Sequence, residues 1–205
     1  MKRGNIILLS AVLAMGLAIA AAVSVLHGGL SARATPTALE VFLARKVRHL
    51  AIPSGARTMT NPVADSPEVQ QEAMRHFADH CAFCHANDGS GDSPIGSGLY
   101  PKPPDLRAAR TQKLSDGELF WIIQNGVRFT GMPAFGGASG HGDAEDTWKL
   151  VRFIRHLPQL TMQERIEMEQ YNPKGPEDRE EEKDEQDFLN GAPPQPSTET
   201  PRHHH

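Results

Sequence analysis

The sequence predicts an all-α fold built around one covalently held prosthetic group. Three observations predict it. Cys81-Ala82-Phe83-Cys84-His85 holds the only two cysteines of 205 residues, with a histidine directly after the second. That spacing is an attachment site for c-type haem, in which two thiols can bond one porphyrin and the neighbouring histidine can ligate its iron. Apolar residues recur at helical spacing on both sides of the motif, and no strong alternating strand pattern is present. Finally, the chain supplies helix start signals repeatedly, at Ser66-Pro67-Glu68 and at Ser115-Asp116-Gly117-Glu118.

The motif has competing readings. A thioredoxin-type redox pair belongs in a βαβ context that is not visible here, and a zinc site needs further ligands where no second cysteine pair exists. The net charge of −4 is mild and excludes a nucleic-acid binder as the natural class. Charge is unevenly spread, basic near the N-terminus and acidic near the C-terminus.

Along the chain, residues 1–30 form an anchor or signal segment. Lys2 and Arg3 precede an apolar stretch, 6–26, of 21 residues. About 20 helical residues cross a bilayer, whereas a signal peptide has a shorter apolar region of about 7–15 residues. Ala20-Ala21-Ala22 lies inside the run rather than after it, which favours an uncleaved helix, with a cleaved signal and a soluble periplasmic product as the alternative. Residues 31–65 form a stem and linker. Leu39, Leu43, Val47 and Leu50 share one helical face, widened by Val41 and Phe42, suited to a lipid surface, a partner or the adjacent domain. Ile52-Pro53-Ser54-Gly55 breaks this helix.

The central domain spans 66–158. Ser66 caps its first helix and Pro67 suits the first helical position. Val69, Ala73, Phe77 and Cys81 recur every four residues and mark an inward face. His76 and His80 lie on that same helix, so neither easily reaches the far side of a ring held at Cys81. After His85 comes a Gly/Asp loop and then the extended Tyr100-Pro101-Lys102-Pro103-Pro104, where a carbonyl near Pro103 or Pro104 can accept the second ring N–H of His85. Ser115 and Glu118 open the next helix, which ends at Asn125-Gly126. Trp121 suits either the ring edge or the core.

Of seven methionines, Met132 alone stands in a Gly/Pro-framed loop, Gly131-Met132-Pro133, distant in sequence from the cysteines. Its thioether is the expected second iron ligand, with His141 the competitor. A last core helix, 143–157, presents Trp148, Val151, Ile154 and Leu157 toward Ala73 and Phe77. Residues 159–205 read as one short helix and a disordered acidic tail ending in His203-His204-His205, because eight acidic residues in 177–187 leave little apolar surface to bury.

Taken in order, Cys81, Cys84 and His85, Pro103-Pro104-Asp105-Leu106, Asn125-Gly126, Gly131-Met132-Pro133 and Trp148 make 66–157 resemble a class I c-type cytochrome domain, similar to the modules of cbb3-type oxidase subunits. The resemblance implies a small cytochrome c fold, one covalent haem c with His85 and Met132 as axial ligands, and electron transfer rather than catalysis. It implies redox protein partners, among them a membrane oxidase or dehydrogenase, and a haem domain facing the periplasm from a bacterial inner membrane. Phe77, Leu99, Tyr100, Trp121, Phe129 and Phe135 are the candidates to surround the ring. A subunit of a larger oxidoreductase is the alternative, and a labile ligand would instead suit a peroxidase or gas sensor.

Overall fold

The computed structural model describes residues 3–28, 31–137 and 143–190. Among them all regular structure is helical. His141 and the terminal histidines lie outside the described residues.

The first long helix, α1 (Arg3–Gly28), has a 22-residue stretch, Arg3–Ser24, long and apolar enough to cross a membrane, and none of it is buried in protein. The stem is α2 (Ala38–Ala51), opened by a reciprocal cap: Thr37 Oγ1 accepts from Glu40 N–H while the Glu40 carboxylate accepts from Thr37 N–H. It ends in α3 (Ser54–Arg57). The segment after α2 does not hang free. Ile52 is buried and Ala56 nearly so, Asn61 donates to the Trp148 carbonyl at 2.8 Å, and Arg152 donates twice to the Val63 carbonyl.

The domain core is built on a pair of packed helices. α4 (Pro67–His76) begins where expected, with Ser66 Oγ accepting from Val69 N–H at 3.3 Å and Pro67 in the first turn. It packs along α8 (Ala144–His156), capped by Asp143, whose carboxylate accepts from Asp146 N–H. Phe77 and Phe153 meet at 5.2 Å between ring centres, and Ala73, Leu150, Val151 and Leu157 fill the same seam. Helix α7 (Asp116–Asn125) packs on the other side of α8 through Phe120, which stacks on Trp148 at 4.1 Å. Trp148 is thereby committed to α7, and Trp121 stands half-buried beside it.

Two expectations need correction. The every-four-residue stripe fails at its last step. Phe77–Cys81 is a π turn, and Ala82 N–H bonds back to the Phe77 carbonyl five residues earlier. The extra residue puts Ala82, not Cys81, in register with Phe77, so Ala82 is buried while Cys81 is half-buried against the edge of the core. The acidic tail, expected to be disordered, contains α10 (Pro176–Leu189). Its stability is local. Gly175 N–H donates to the Asp178 carboxylate at 2.8 Å, Pro176 stands at the first position, and the interior is rich in Glu, a residue that favours helix without needing a core. The short helix before it is α9 (Met162–Glu169), and Met168 is fully buried in the domain core.

Candidate haem site

The attachment motif occupies the π turn and the single helical turn α5 (Ala82–His85) that follows it. Two residues hold this turn from outside. Ser93 Oγ donates to the carbonyls of Phe83 at 2.7 Å and Cys84 at 3.1 Å, and itself accepts from Gly96 N–H at 2.9 Å. The carbonyls at the end of a helix lack partners within it, and Ser93, 7% exposed, supplies one. Gly91 N–H adds a bond to the His85 carbonyl at 2.8 Å.

Cys81, Cys84 and His85 come together as the sequence indicates. Both cysteines are free thiols. Burial, and then the neighbouring Cys84, push the Cys81 thiol up to about 12, and burial raises Cys84 as well. Burial holds the His85 imidazole toward its neutral form, which is the form that binds a metal, while the Pro104 carbonyl acts in the opposite sense. The Pro104 carbonyl thus faces the ring, but the hydrogen bond expected from His85 near Pro103 or Pro104 is not formed with good geometry. Nδ1 of His85 is buried without a hydrogen bond of good geometry. A buried neutral imidazole lacking a close partner, beside two thiols, fits a histidine that is completed by a bound group.

The loop after His85 is braced by charge. Arg107 donates to Asp88 at 2.8 Å and forks onto both oxygens of Asp105. Against its desolvation, Ser90 and Arg107 hold the Asp88 carboxyl below its ordinary value, and hydrogen bonds from Arg107 do the same for Asp105.

Met132 is delivered by α7. Gly126 ends that helix at φ 65°, and a side chain there would stand 2.8 Å from the Met132 carbonyl and 2.6 Å from the carbonyl carbon of Pro133. The loop then folds onto α7, with Val127 N–H bonded to the Met132 carbonyl and Phe135 N–H to Ile123. Thr130 Oγ1 accepts from Met132 N–H at 3.1 Å and donates to Val127. The cysteine turn and the methionine loop are joined by residues 96–99. The α carbon of Gly96 lies against the Cys84 carbonyl, and the Leu99 side chain packs on Gly131, next to Met132.

Other candidates fall elsewhere. His76 and His80 meet ring to ring at 4.9 Å, and His80 pairs with Asp79 at 3.2 Å. Phe77 is buried against Phe153. Phe83, Ile95, Tyr100 and Phe129 are exposed apolar side chains on the segments that frame the motif, Phe129 at 93% and with a positive φ of 63°. Sequence reasoning missed Ser93 and Arg107. Their only signal was a serine and aspartates in a loop otherwise set aside as glycine-rich.

Comparison with known families agrees with this geometry. Residues 68–154 match the model of the family described as cytochrome c oxidase, cbb3-type, subunit III. This segment is a c-type cytochrome domain. No curated protein matches the chain. The cytochrome domain implies covalently bound haem c, and the two thiols and the buried His85 beside them fit such a group. The matched span opens in α4 and closes in α8, so it contains the cysteine turn, the 96–99 bridge and the Met132 loop.

Proposed function

We propose that the protein is a monohaem electron carrier, held by α1 at the outer face of a bacterial inner membrane and exchanging single electrons with respiratory partners. Haem c, when bound, supplies one-electron exchange at iron. Cys81 and Cys84 would hold it covalently, and His85 and Met132 would be the ligands to its iron. The observation that carries this reading is the bridge from the Cys84 carbonyl through Gly96 and Leu99 to Gly131. It ties a single methionine loop to the attachment turn. A thioether is a neutral, soft ligand, and His/Met ligation raises the reduction potential. With His85 and Met132 both taken up as ligands, the iron would keep no open position for a substrate, which suits an electron carrier rather than a catalyst.

The matched family is an oxidase subunit. That favours a second reading in which this chain is the cytochrome subunit of a larger membrane oxidoreductase whose catalysis lies on another polypeptide.

The holoprotein, extracted in mild detergent, tests the first reading. It should titrate reversibly as one single-electron centre, and the ferrous form should not change spectrum within seconds of adding carbon monoxide. Fast carbon monoxide binding would mean an open iron position and would contradict electron transfer through a His85/Met132 site. Stable co-purification with a membrane enzyme would favour the second reading.

A further inference from the structure

Helix α2 turns its apolar side away from the protein. Leu39, Phe42, Leu43, Val47 and Leu50 recur at helical spacing and all are exposed, Leu50 at 78%. The opposite side faces the cytochrome domain. Val41 and Arg48 are partly covered there, Glu40 accepts from the Tyr100 hydroxyl at 3.1 Å, and His49 lies 3.6 Å from Glu118. The helix is thus fixed along one side and unpartnered along the other.

We propose that this face lies on the anionic phospholipid surface of the membrane entered by α1. The inference rests on reading α1 as a membrane span. Two observations select that occupant. The first is reach. Residues 29–37 join the two helices, and an extended chain of that length covers at most about 30 Å, so α2 cannot leave the neighbourhood of the bilayer. The second is charge. The whole chain is net negative, yet residues 31–65 hold five basic residues against Glu40 and Asp65. Arg48 faces the domain and Arg57 donates to the His49 and Ile52 carbonyls, which leaves Arg33, Arg45 and Lys46 for a headgroup. Glu40 is engaged by Thr37 and Tyr100. Lys46 stands beside the apolar stripe with its ammonium 5.8 Å from the Phe42 ring centre, an arrangement that keeps the stem on apolar surface and lets the head reach a phosphate.

The consequence is orientation. Through Tyr100 the helix holds the loop whose Leu99 packs on Gly131, so the Met132 side of the site is tied to the membrane-surface helix. The haem domain then has a fixed face toward the bilayer rather than swinging on a tether.

The test uses the full-length holoprotein in nanodiscs containing phosphatidylglycerol. Haem attachment consumes the native thiols, so a spin label can be placed on one introduced cysteine at a time: Leu13→Cys, Leu43→Cys, Ala44→Cys and Val47→Cys. Collision with oxygen and with a water-soluble nickel chelate is compared. The expected result is an oxygen-to-nickel ratio several-fold higher at 43 and 47 than at 44, with 13 also in lipid. In phosphatidylcholine alone the ratio at 43 and 47 should drop several-fold, and an unchanged ratio would overturn the role of anionic headgroups. If position 13 is in lipid but 43 and 47 are water-exposed, or shielded from both reagents by protein, the proposal is overturned while the span stands. If position 13 itself is aqueous, the span reading fails and the proposal with it.

Discussion

Ser93 is the residue on which the geometry of the attachment turn most depends outside the motif itself. Its single hydroxyl proton is shared between two carbonyls at the helix end, the shorter contact being to Phe83, in a partly buried setting. Leaving such groups without a partner costs about 1–3 kcal/mol. Ser93→Ala should lower stability by that order, read as a fall in the thermal midpoint of the holoprotein, whereas an unchanged midpoint would mean the carbonyls find other donors. Arg107 acts on the next stretch of loop. Asp88 and Asp105 are held below the ordinary aspartate value of 3.8. A carboxyl depressed in the folded state contributes stability above that value, and the contribution is lost as pH falls through the folded one. Stability should therefore decline below about pH 4, and Arg107→Leu should flatten this decline. The Arg107 side chain is 37% exposed, so its effect at neutral pH should not exceed about 1 kcal/mol.

At the scale of elements, the helices announced by caps were legible in the sequence. Ser66, and Ser115 with Glu118, cap where their spacing indicates, and the helix expected over 143–157 opens at Asp143. The π turn was not, because a periodicity count assumes constant winding, and the inserted residue at Phe77–Cys81 leaves each local propensity unchanged. Nor was the docking of the stem, which depends on a contact between segments far apart in sequence. There a side chain at Gly117 would stand 1.8 Å from the Ala56 carbonyl, so α3 and α7 meet backbone to backbone. Gly117→Val should push α3 off and expose Ile52, at a cost of about 1–3 kcal/mol from overpacking. A lower thermal midpoint with faster proteolysis around Arg57 would show it, and unchanged proteolysis would argue that the stem docks otherwise. The acidic helix α10 escaped for the opposite reason. Its composition argues against a core and was read as disorder, although local capping and propensity suffice for helix.

For the whole molecule, the cofactor class was legible in the sequence because CxxCH is a local pattern, and Met132 is proposed as a ligand because it stands out by its glycine and proline neighbours. What joins the two halves of the site was not legible, since the Gly96–Cys84 and Leu99–Gly131 approaches are tertiary. The long apolar helix gives a further expectation at this scale. Alkaline carbonate should leave the protein in the membrane fraction and detergent should release it, whereas release by carbonate would mean α1 is cleaved or not inserted. The central claim is that Met132 closes the iron site begun at Cys81, Cys84 and His85. The ferric absorption spectrum at the red end tests it most directly. Wild type should show the sulfur-to-iron charge-transfer band, and Met132→Ala should lose that band while keeping its covalent haem. Persistence of the band in Met132→Ala would contradict the assignment.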